Sequence, residues 1–557
     1  MVTSVISQWL SYPVASDRVL SMIGIEVHWA ILQYVLGLPF MAFIALIIYA
    51  VKKDETWKKI ALTLTKGFIL VFAVGAATGT GAEFGLVLLW PNLTEAAGRY
   101  IYFPLYAEVF AFLMEVIFIY MLYYGWNRFK PWVLVIIALL AFSGSWFSAA
   151  MIVSVNSYMV APTGIHPAYD PSTGQWLYSQ GYPKLDLYLP KSLVPLLNVT
   201  TLTKLGMTVS GVTPDSVKVE MPVRIIQRLA WESWHGVKVK DSILMLVVNK
   251  TTVSHMSKEQ LNQLLNTPVK AIVDKILVNT VQHEGVYTIT FKSPVYAATI
   301  IHAIGAGLTT SSFTVMGVYA FRLARGVESE EYKKYAKKFL KYSAYFAVII
   351  IALQGFVFGH EMGRAVAYYN PEKLSAMEGV TTQHFSITRT FHLDSLMKFL
   401  AYGSTSAHMP NYDTITPNYC QCKAAPNPDI KTCKPPILIH YLYYTKITLA
   451  VLLGVYALGI SYYVWRDKKS KWLFKLGIAG IVVVQVVSYL GWAVREIGRK
   501  PWTIYGVMTP DVAHTFNPAP VWEVALVALY FLGMLGILAY AVWRIMWVPG
   551  SKEMMAK

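Results

Sequence analysis

The chain is built from apolar runs of about twenty residues or more, and a run of that length has few possible fates. In hydrocarbon every backbone N–H and C=O must be satisfied within the segment, so a spanning run folds as an α-helix. Nine such runs stand out by hydropathy, at 20–50, 61–90, 101–125, 132–160, 294–322, 340–362, 438–465, 472–494 and 520–547. Of the 557 residues, 55% are hydrophobic and 14% charged, about half the charged share of an average soluble domain. The expected fold class is an all-α polytopic membrane protein, with about nine transmembrane helices in a bundle and an inserted extracytoplasmic α+β domain. The first run follows a polar stretch containing Pro13, Asp17 and Arg18 and is too long for a signal-peptide core, so no cleaved leader is expected.

The connections alternate in charge. Lys52, Lys53, Lys58 and Lys59 follow the first run, Arg128 and Lys130 the third, Arg322, Arg325, Lys333, Lys334, Lys337, Lys338 and Lys341 the fifth, and Arg466, Lys468, Lys469 and Lys471 the seventh. The positive-inside rule places these loops in the cytoplasm, the N-terminus outside the cell membrane and the C-terminus inside. Topology and contact with an anionic bilayer account for the net charge of +17, and nucleic acid is not an expected partner.

The boundaries divide the chain into 1–162, 163–292, 293–362, 363–437 and 438–557. In the insert at 163–292, Ser216–Met221, Ile243–Val248 and Val286–Phe291 read as strands. Ser257-Lys258-Glu259-Gln260 reads as a capping box before a helix through Leu261, Leu264, Leu265, Val269 and Ile272. The insert carries no catalytic motif. The second outer segment, 363–437, ends in Cys420-Gln421-Cys422 and Cys433, which fit one disulfide with a free thiol better than a metal site.

Ionisable residues inside a membrane are costly and mark function. Glu26 and His28 lie in the first run, Glu108 and Glu115 in the third, His302 in the fifth, and Glu496 and Arg499 at the end of the eighth. His28, Glu108 and His302 each lie eight or so residues inside the outer boundary, about 12 Å at helical rise, and Glu496 lies at the boundary itself. A single such histidine is more often a packing residue or proton relay than a ligand, and a single glutamate is as often a transporter site. The shared depth, with no HExxH or CxxC alternative, favours buried haem, because imidazole suits iron and a bundle core is where haem is held.

Taken together these residues resemble subunit I of the cytochrome bd family of quinol-oxidising terminal oxidases. The resemblance rests on several motifs. Arg18 lies ten residues before His28, and Gly75-Ala76-Ala77-Thr78-Gly79 precedes Glu83-Phe84. Glu108 and Glu115 precede Gly125-Trp126-Asn127-Arg128, and Ser148 precedes Asn156-Ser157-Tyr158-Met159. The most specific run is Gly491-Trp492-Ala493-Val494-Arg495-Glu496-Ile497-Gly498-Arg499-Lys500-Pro501-Trp502. The resemblance covers the membrane runs and the second outer segment, but not the insert.

The resemblance implies a haem d held by His28, a high-spin haem b held by Glu496, with Trp492 packed nearby and Arg499 on a propionate, and a low-spin haem b held by His302. The family also shows the first two haems interchanged. Glu108 and Glu115 would carry protons toward the oxygen site, with Arg18, Ser148 and Asn156 among the catalytic residues. Lys373 and Glu378, five apart, would bind quinol and accept its protons. Membrane quinol, oxygen and a second membrane subunit are the implied partners. Two positions depart from the pattern. Where a methionine ligand is expected the chain reads Lys446-Ile447-Thr448, and Thr448 is no ligand for a low-spin haem. Lys446 remains grouped with the cofactor-binding residues, while His440 lies about 12 Å away along the helix. Glu108 and Glu115 are also seven apart rather than eight. The rival expectations are a paralogous subunit without the low-spin haem and quinol-oxidising role, and a proton-coupled secondary transporter.

Overall fold

The computed structural model describes residues 15–547 apart from 101, 163–168, 177–183, 197–202, 204–206, 285–292, 327–328, 416–433, 469 and 515–519. Among the described residues nine helices are long and apolar enough to cross a membrane. They are α1 (Ala15–Lys52), α2 (Glu55–Leu89), α3 (Tyr102–Gly125), α4 (Pro131–Val160), α5 (Tyr296–Arg325), α6 (Glu330–Tyr369), α7 (Leu438–Trp465), α8 (Gly477–Ile497) and α9 (Val521–Trp547). Polar caps set several starts. Asp54 accepts from Thr56 N–H at 2.9 Å to open α2, Ser329 accepts from Tyr332 N–H at 3.1 Å to open α6, and Pro131 occupies the first turn of α4.

The bundle is organised around α5, which is buried along most of its length. Between apolar helices in lipid, close backbone approach replaces the hydrophobic effect as the source of packing energy. Three crossings of α5 depend on it. A Cβ on Gly37 of α1 would collide with Ser311, and one on Gly307 with Leu36. Gly317 and Gly477 of α8 face each other so closely that a Cβ on either would strike the other's carbonyl oxygen. A Cβ on Gly305 would strike Gln354 and Phe358 of α6.

The insert is a three-stranded antiparallel sheet with helices on it. After a small hairpin, β1 (Tyr169–Asp170) with β2 (Gln175–Trp176), come β3 (Lys184–Pro190), β4 (Thr208–Val212) and β5 (Ser216–Pro222). The order is β3-β5-β4, with Leu187 opposite Val219. Helices Val223–Trp234 and Val269–Glu284 supply Ile225, Leu229, Val269 and Ile276 to a core shared with Leu187, Leu189, Val219 and Met221. The insert rests on the outer end of the bundle through His235 Nε2 to Thr509 Oγ1 (3.2 Å) and Lys270 Nζ to Glu95 (3.0 Å).

Two expectations for the insert change. The segment Ile243–Val248 is not a strand, because Leu244–Val247 is a helical turn. Its start is fixed by side-chain acceptors: Ser242 Oγ takes Leu244 N–H at 3.1 Å and the buried Glu232 carboxylate takes Ile243 N–H at 3.2 Å. The capping box at Ser257 forms with both bonds, but its helix ends at Asn266. Pro268 disfavours helical backbone at Thr267, so Val269 and Ile272 belong to the next helix. The expected strand at Val286–Phe291 and the three cysteines lie outside the described residues.

If glycine contact places α1 against α5, Gly37→Leu destabilises the bundle by about 1–3 kcal/mol or more. A fall in the thermal unfolding midpoint of the purified protein, with Gly85→Leu in open space unchanged, is the expected result.

Candidate functional site

Several polar residues of the spans gather at the end of the bundle that carries the insert. Glu496, in the last turn of α8, accepts from Asn156 Nδ2 of α4 at 2.9 Å and from Arg499 Nη2 at 2.5 Å. Asn156 Oδ1 in turn accepts from Arg495 Nε, and Arg495 Nη1 donates to Thr299 Oγ1 of α5 at 3.3 Å. The carboxylate thus joins α4 to the end of α8, and Arg495 extends the network to α5. Arg495 and Arg499 are both buried, yet Arg495 Nη2 and Arg499 Nε and Nη1 have no partner among the described residues. Trp492 stacks on Trp29 of α1 at 4.5 Å, and its indole N–H is also without a partner there. Glu26 faces Glu496 electrostatically, and its Oε2 is buried without a partner among the described residues. Arg18 lies within electrostatic reach of Lys500.

His28 is held by α2. Its Nδ1 lies 3.1 Å from Thr78 Oγ1, whose own hydroxyl proton goes back to the carbonyls of Val74 (3.0 Å) and Gly75 (3.1 Å). Thr78 must therefore accept, which puts the ring proton on Nδ1 and leaves the lone pair on Nε2. Gly79 completes the fit, since a Cβ there would sit 2.9 Å from His28 Cε1. The glycine-threonine motif of α2 is the seat of this ring.

His302 meets a wide π-turn in α6, Gln354–Phe358, of a kind often found at functional sites. Gln354 Nε2 lies 3.2 Å from His302 Nδ1 and 3.1 Å from its carbonyl oxygen, while Gln354 Oε1 has no partner among the described residues. In this orientation Nδ1 accepts. The same amide nitrogen donates to the His302 carbonyl, which fixes this orientation, since the turned-over amide would set Oε1 against that carbonyl oxygen.

Glu108 and Glu115, seven apart and so on nearly one helical face, both face α4. Ser148 Oγ donates to Glu108 at 2.9 Å and Ser145 Oγ to the buried Glu115 at 2.6 Å. Gly144 lets the helices close on this pair, because a Cβ there would lie 3.0 Å from Glu115 N. Glu83 of α2 is an electrostatic neighbour of Glu108.

Lys373 and Glu378 lie on the short helix Pro371–Glu378 and are both buried, so they are not a solvated surface pair. They face different partners. Lys373 runs along Gly498 and feels the charges of Arg495, Glu496, Lys446 and Arg499. Burial, then Arg495, pushes its ammonium down to about 7. Glu378 accepts from Tyr444 Oη of α7 at 2.7 Å. Burial pushes its carboxyl up to about 7 against the hydrogen bonds of Tyr444 and Tyr443.

His440 is committed elsewhere: its Nδ1 donates to Met377 C=O at 2.8 Å and its Nε2 accepts from Ile387 N–H at 3.1 Å. Gly379, with φ of 63°, passes so close that a Cβ would lie 2.8 Å from His440 Cε1. His440 fastens the outer segment to α7 and has no nitrogen left for a metal. Thr448 is exposed on α7. Thr78, Gln354 and Tyr444 were not singled out as site residues from the sequence. Gln354 had a signal, as an amide inside an apolar run; the other two are ordinary in membrane helices.

Among the described residues, nine long apolar helices carry the part-buried His28 and His302, and a carboxylate–arginine cluster with both arginines buried sits at one end. Residues 17–178 and 233–552 match the family model of cytochrome bd terminal oxidase subunit I. The chain belongs to that family. The match leaves out 179–232, a narrower segment than the 163–292 insert. Cytochrome bd ubiquinol oxidase subunit 1 of Bacillus subtilis is 22% identical over 86% of this chain and 82% of its own length. Cytochrome bd-II ubiquinol oxidase subunit 1 of Escherichia coli is 31% identical over 25% of this chain and 27% of its own length. The bd oxidase structure from Geobacillus thermodenitrificans shares the fold with a TM-score of 0.63 at 21% identity, covering 96% of this chain and 98% of that one. Membership places the chain with haem-containing respiratory oxidoreductases of the membrane and not with secondary transporters.

The site's own side chains fit such a group. The guanidinium N–H groups of Arg495 and Arg499 that have no partner among the described residues are donors that anionic propionates would satisfy.

Replacing Tyr444 by Phe removes a bond that favours ionised Glu378, so the Glu378 carboxyl then titrates at higher pH. An infrared titration of the protonated-carboxyl band, with Glu378→Gln as the blank, reads the shift.

Proposed function

We propose that this chain is the haem-carrying subunit of a bd-type quinol:oxygen oxidoreductase in the plasma membrane, working with a second membrane subunit. The observation that carries the reading is the outer cluster, in which Glu496 is bound by Asn156 and Arg499 beside unpartnered donors of two buried arginines. The cofactors are two b haems and one haem d. His28 holds the haem d iron, Glu496 the high-spin haem b iron and His302 the low-spin haem b iron, the first two assignments being exchangeable. Bound haem supplies electron transfer and the reduction of oxygen to water.

The chain's own residues supply the rest. Arg499 and Arg495 hold propionates, and Trp492 with Trp29 forms an aromatic wall. Glu378 accepts a quinol proton at the outer side, as a base titrating near neutral pH can, and Lys373 orients the head group. Glu115 and Glu108, each hydrogen-bonded to a serine of α4, line a route for protons drawn from the cytoplasm, with Arg18, Ser148 and Asn156 placed around its outer end. With the N-terminus outside and C-terminus in the cytoplasm, quinol protons leave on one side and consumed protons enter from the other.

The orientation of Gln354, which makes His302 Nδ1 an acceptor, favours a second reading: a paralogous subunit that keeps the fold but not the low-spin haem. A reduced-minus-oxidised spectrum with haem extraction, taken on the chain with its partner subunit, separates the two. Two b haems and one d support the oxidase, loss of the low-spin b signal supports the paralogue, and absence of haem overturns both.

Two further outcomes are expected. Quinol oxidation rises with pH through about 7 as Glu378 ionises; Glu378→Gln removes that acid limb and lowers kcat/KM by about 10²–10⁴-fold. Thr78→Val, which takes away the acceptor on His28 Nδ1, weakens haem binding there by about 10–100-fold while Thr78→Ser does not; haem-to-protein ratios measure it.

A further inference from the structure

Behind Glu378 lies a closed loop of hydrogen bonds that reaches a residue not used above, Thr388. Tyr444 Oη of α7 lies 2.7 Å from Glu378 Oε2 and 2.8 Å from Thr388 Oγ1, in the helical turn Ile387–Thr390. Thr388 closes the loop, because its hydroxyl donates to the Glu378 carbonyl oxygen at 2.7 Å. Glu378 and Thr388 are both buried, so the loop is a protein network and not a solvated surface contact.

Counting protons assigns the roles. A hydroxyl has one proton to give and lone pairs to accept with. The Thr388 proton goes to the Glu378 carbonyl, so toward Tyr444 the threonine accepts. The Tyr444 phenol then has one proton and two oxygens in reach. When Glu378 is ionised its charged Oε2 takes that proton, since charge-assisted bonds are the stronger. When Glu378 is protonated the carboxyl donates to Tyr444 Oη, and the phenol proton turns to Thr388 Oγ1. The remaining contact of the phenol is Met397 Sδ at 3.9 Å, a weak acceptor.

The scaffold holds these atoms at one spacing. His440, one turn before Tyr444 on α7, donates from Nδ1 to Met377 C=O at 2.8 Å and accepts Ile387 N–H at 3.1 Å. The two residues it grips are the chain neighbours of Glu378 and Thr388. Between them Gly379, with φ of 63°, lets the chain pass where a Cβ would lie 2.8 Å from both His440 Cε1 and Ser386 Oγ. The other titratable groups here are spent elsewhere or neutral. Tyr443 of α7 also bonds the carboxyl. Arg389, beside Thr388, donates to the carbonyls of Thr381 (3.0 Å) and His384 (3.1 Å). Lys398 pairs with Asp394 at 3.2 Å. Lys373 and Glu372 share the helix of Glu378, and Lys373 runs along Gly498. Among the described residues no cation forms an ion pair with Glu378.

We propose that Thr388 is a positioning residue for the Glu378 proton: it receives the Tyr444 hydroxyl when Glu378 is protonated and releases it when Glu378 ionises. The only covalent change is gain or loss of the carboxyl O–H; phenol and threonine keep their protons, and the phenol redirects its own. The inference deepens the reading of Glu378 as a quinol-proton acceptor and rests on it for its purpose, but its test uses no quinol.

The test is an infrared pH titration of the Glu378 carboxyl in the purified protein with its partner subunit, with Glu378→Gln subtracted. The wild-type midpoint is expected near 7. Thr388→Val takes away the acceptor that the neutral state needs, so the midpoint falls by about 0.5–1 pH unit. The Glu378 carbonyl keeps a donor in Ser386 Oγ at 3.3 Å. Thr388→Ser retains the hydroxyl and leaves the midpoint in place. Tyr444→Phe moves it the other way, and the double variant Tyr444→Phe with Thr388→Val stays at the Tyr444→Phe value, because Thr388 acts through the phenol. An unchanged or raised midpoint in Thr388→Val overturns the proposal. A double variant that falls below Tyr444→Phe overturns it too, since the threonine then acts through packing. A protein that shows these shifts but does not oxidise quinol sinks the functional reading and leaves the switch of partners standing.

Discussion

The constraint on which the outer half of the molecule turns is an excess of buried positive charge. Lys373, Arg495 and Arg499 are buried around a single ion-paired carboxylate, Glu496, with Lys446 close by. Removing several cations from water is costly unless each finds an anion or an acceptor. Glu496 and Asn156 satisfy part of the need, and several N–H groups have no partner among the described residues. Such donors suit anionic groups. The cluster ties the end of α8 to α4, α5 and the outer segment, and it makes the geometry of that end depend on what it binds.

Holding such a cluster requires helices that do not yield, and here the small residues of α5 matter. Where Gly37, Gly307, Gly317 and Gly477 bring backbones into contact, the helices are fixed by shape alone. His302 sits at the outer end of the same helix, one turn from Gly305, where α6 presses in through its π-turn. The packing that stabilises the bundle and the packing that aims the histidine are continuous.

Much of this could be read from the chain alone. Apolar runs located all nine spans because hydrocarbon permits one backbone solution, and the Glu496 run announced itself by placing charges at a membrane edge. The role of Thr78 could not be read, because a threonine bonded to its own helix and one bonded to a neighbour's histidine look identical in sequence. The spacing of seven puts Glu108 and Glu115 on one face of α3, but which helix that face meets became clear only with Ser145 and Ser148 opposite. In the insert, Ile243–Val248 has the β-branched composition of a strand, and the buried Glu232 carboxylate, distant in pattern but near in space, turns it into a helix.

The 363–437 segment shows why Lys373 and Glu378 need the bundle. Lys373 and Glu378 are five apart on a helix of eight residues, too short to be stable by itself in water. What holds it is α7 and α8. His440 takes one carbonyl of that helix and one amide of the next, Tyr444 takes the Glu378 carboxylate, and Gly498 provides the flat surface along which Lys373 lies. Lys446, one turn below the Tyr443–Tyr444 pair, is electrostatically linked to both Lys373 and His302. Lys373 itself also acts on His302 electrostatically, so the short helix and the histidine share one set of charged neighbours.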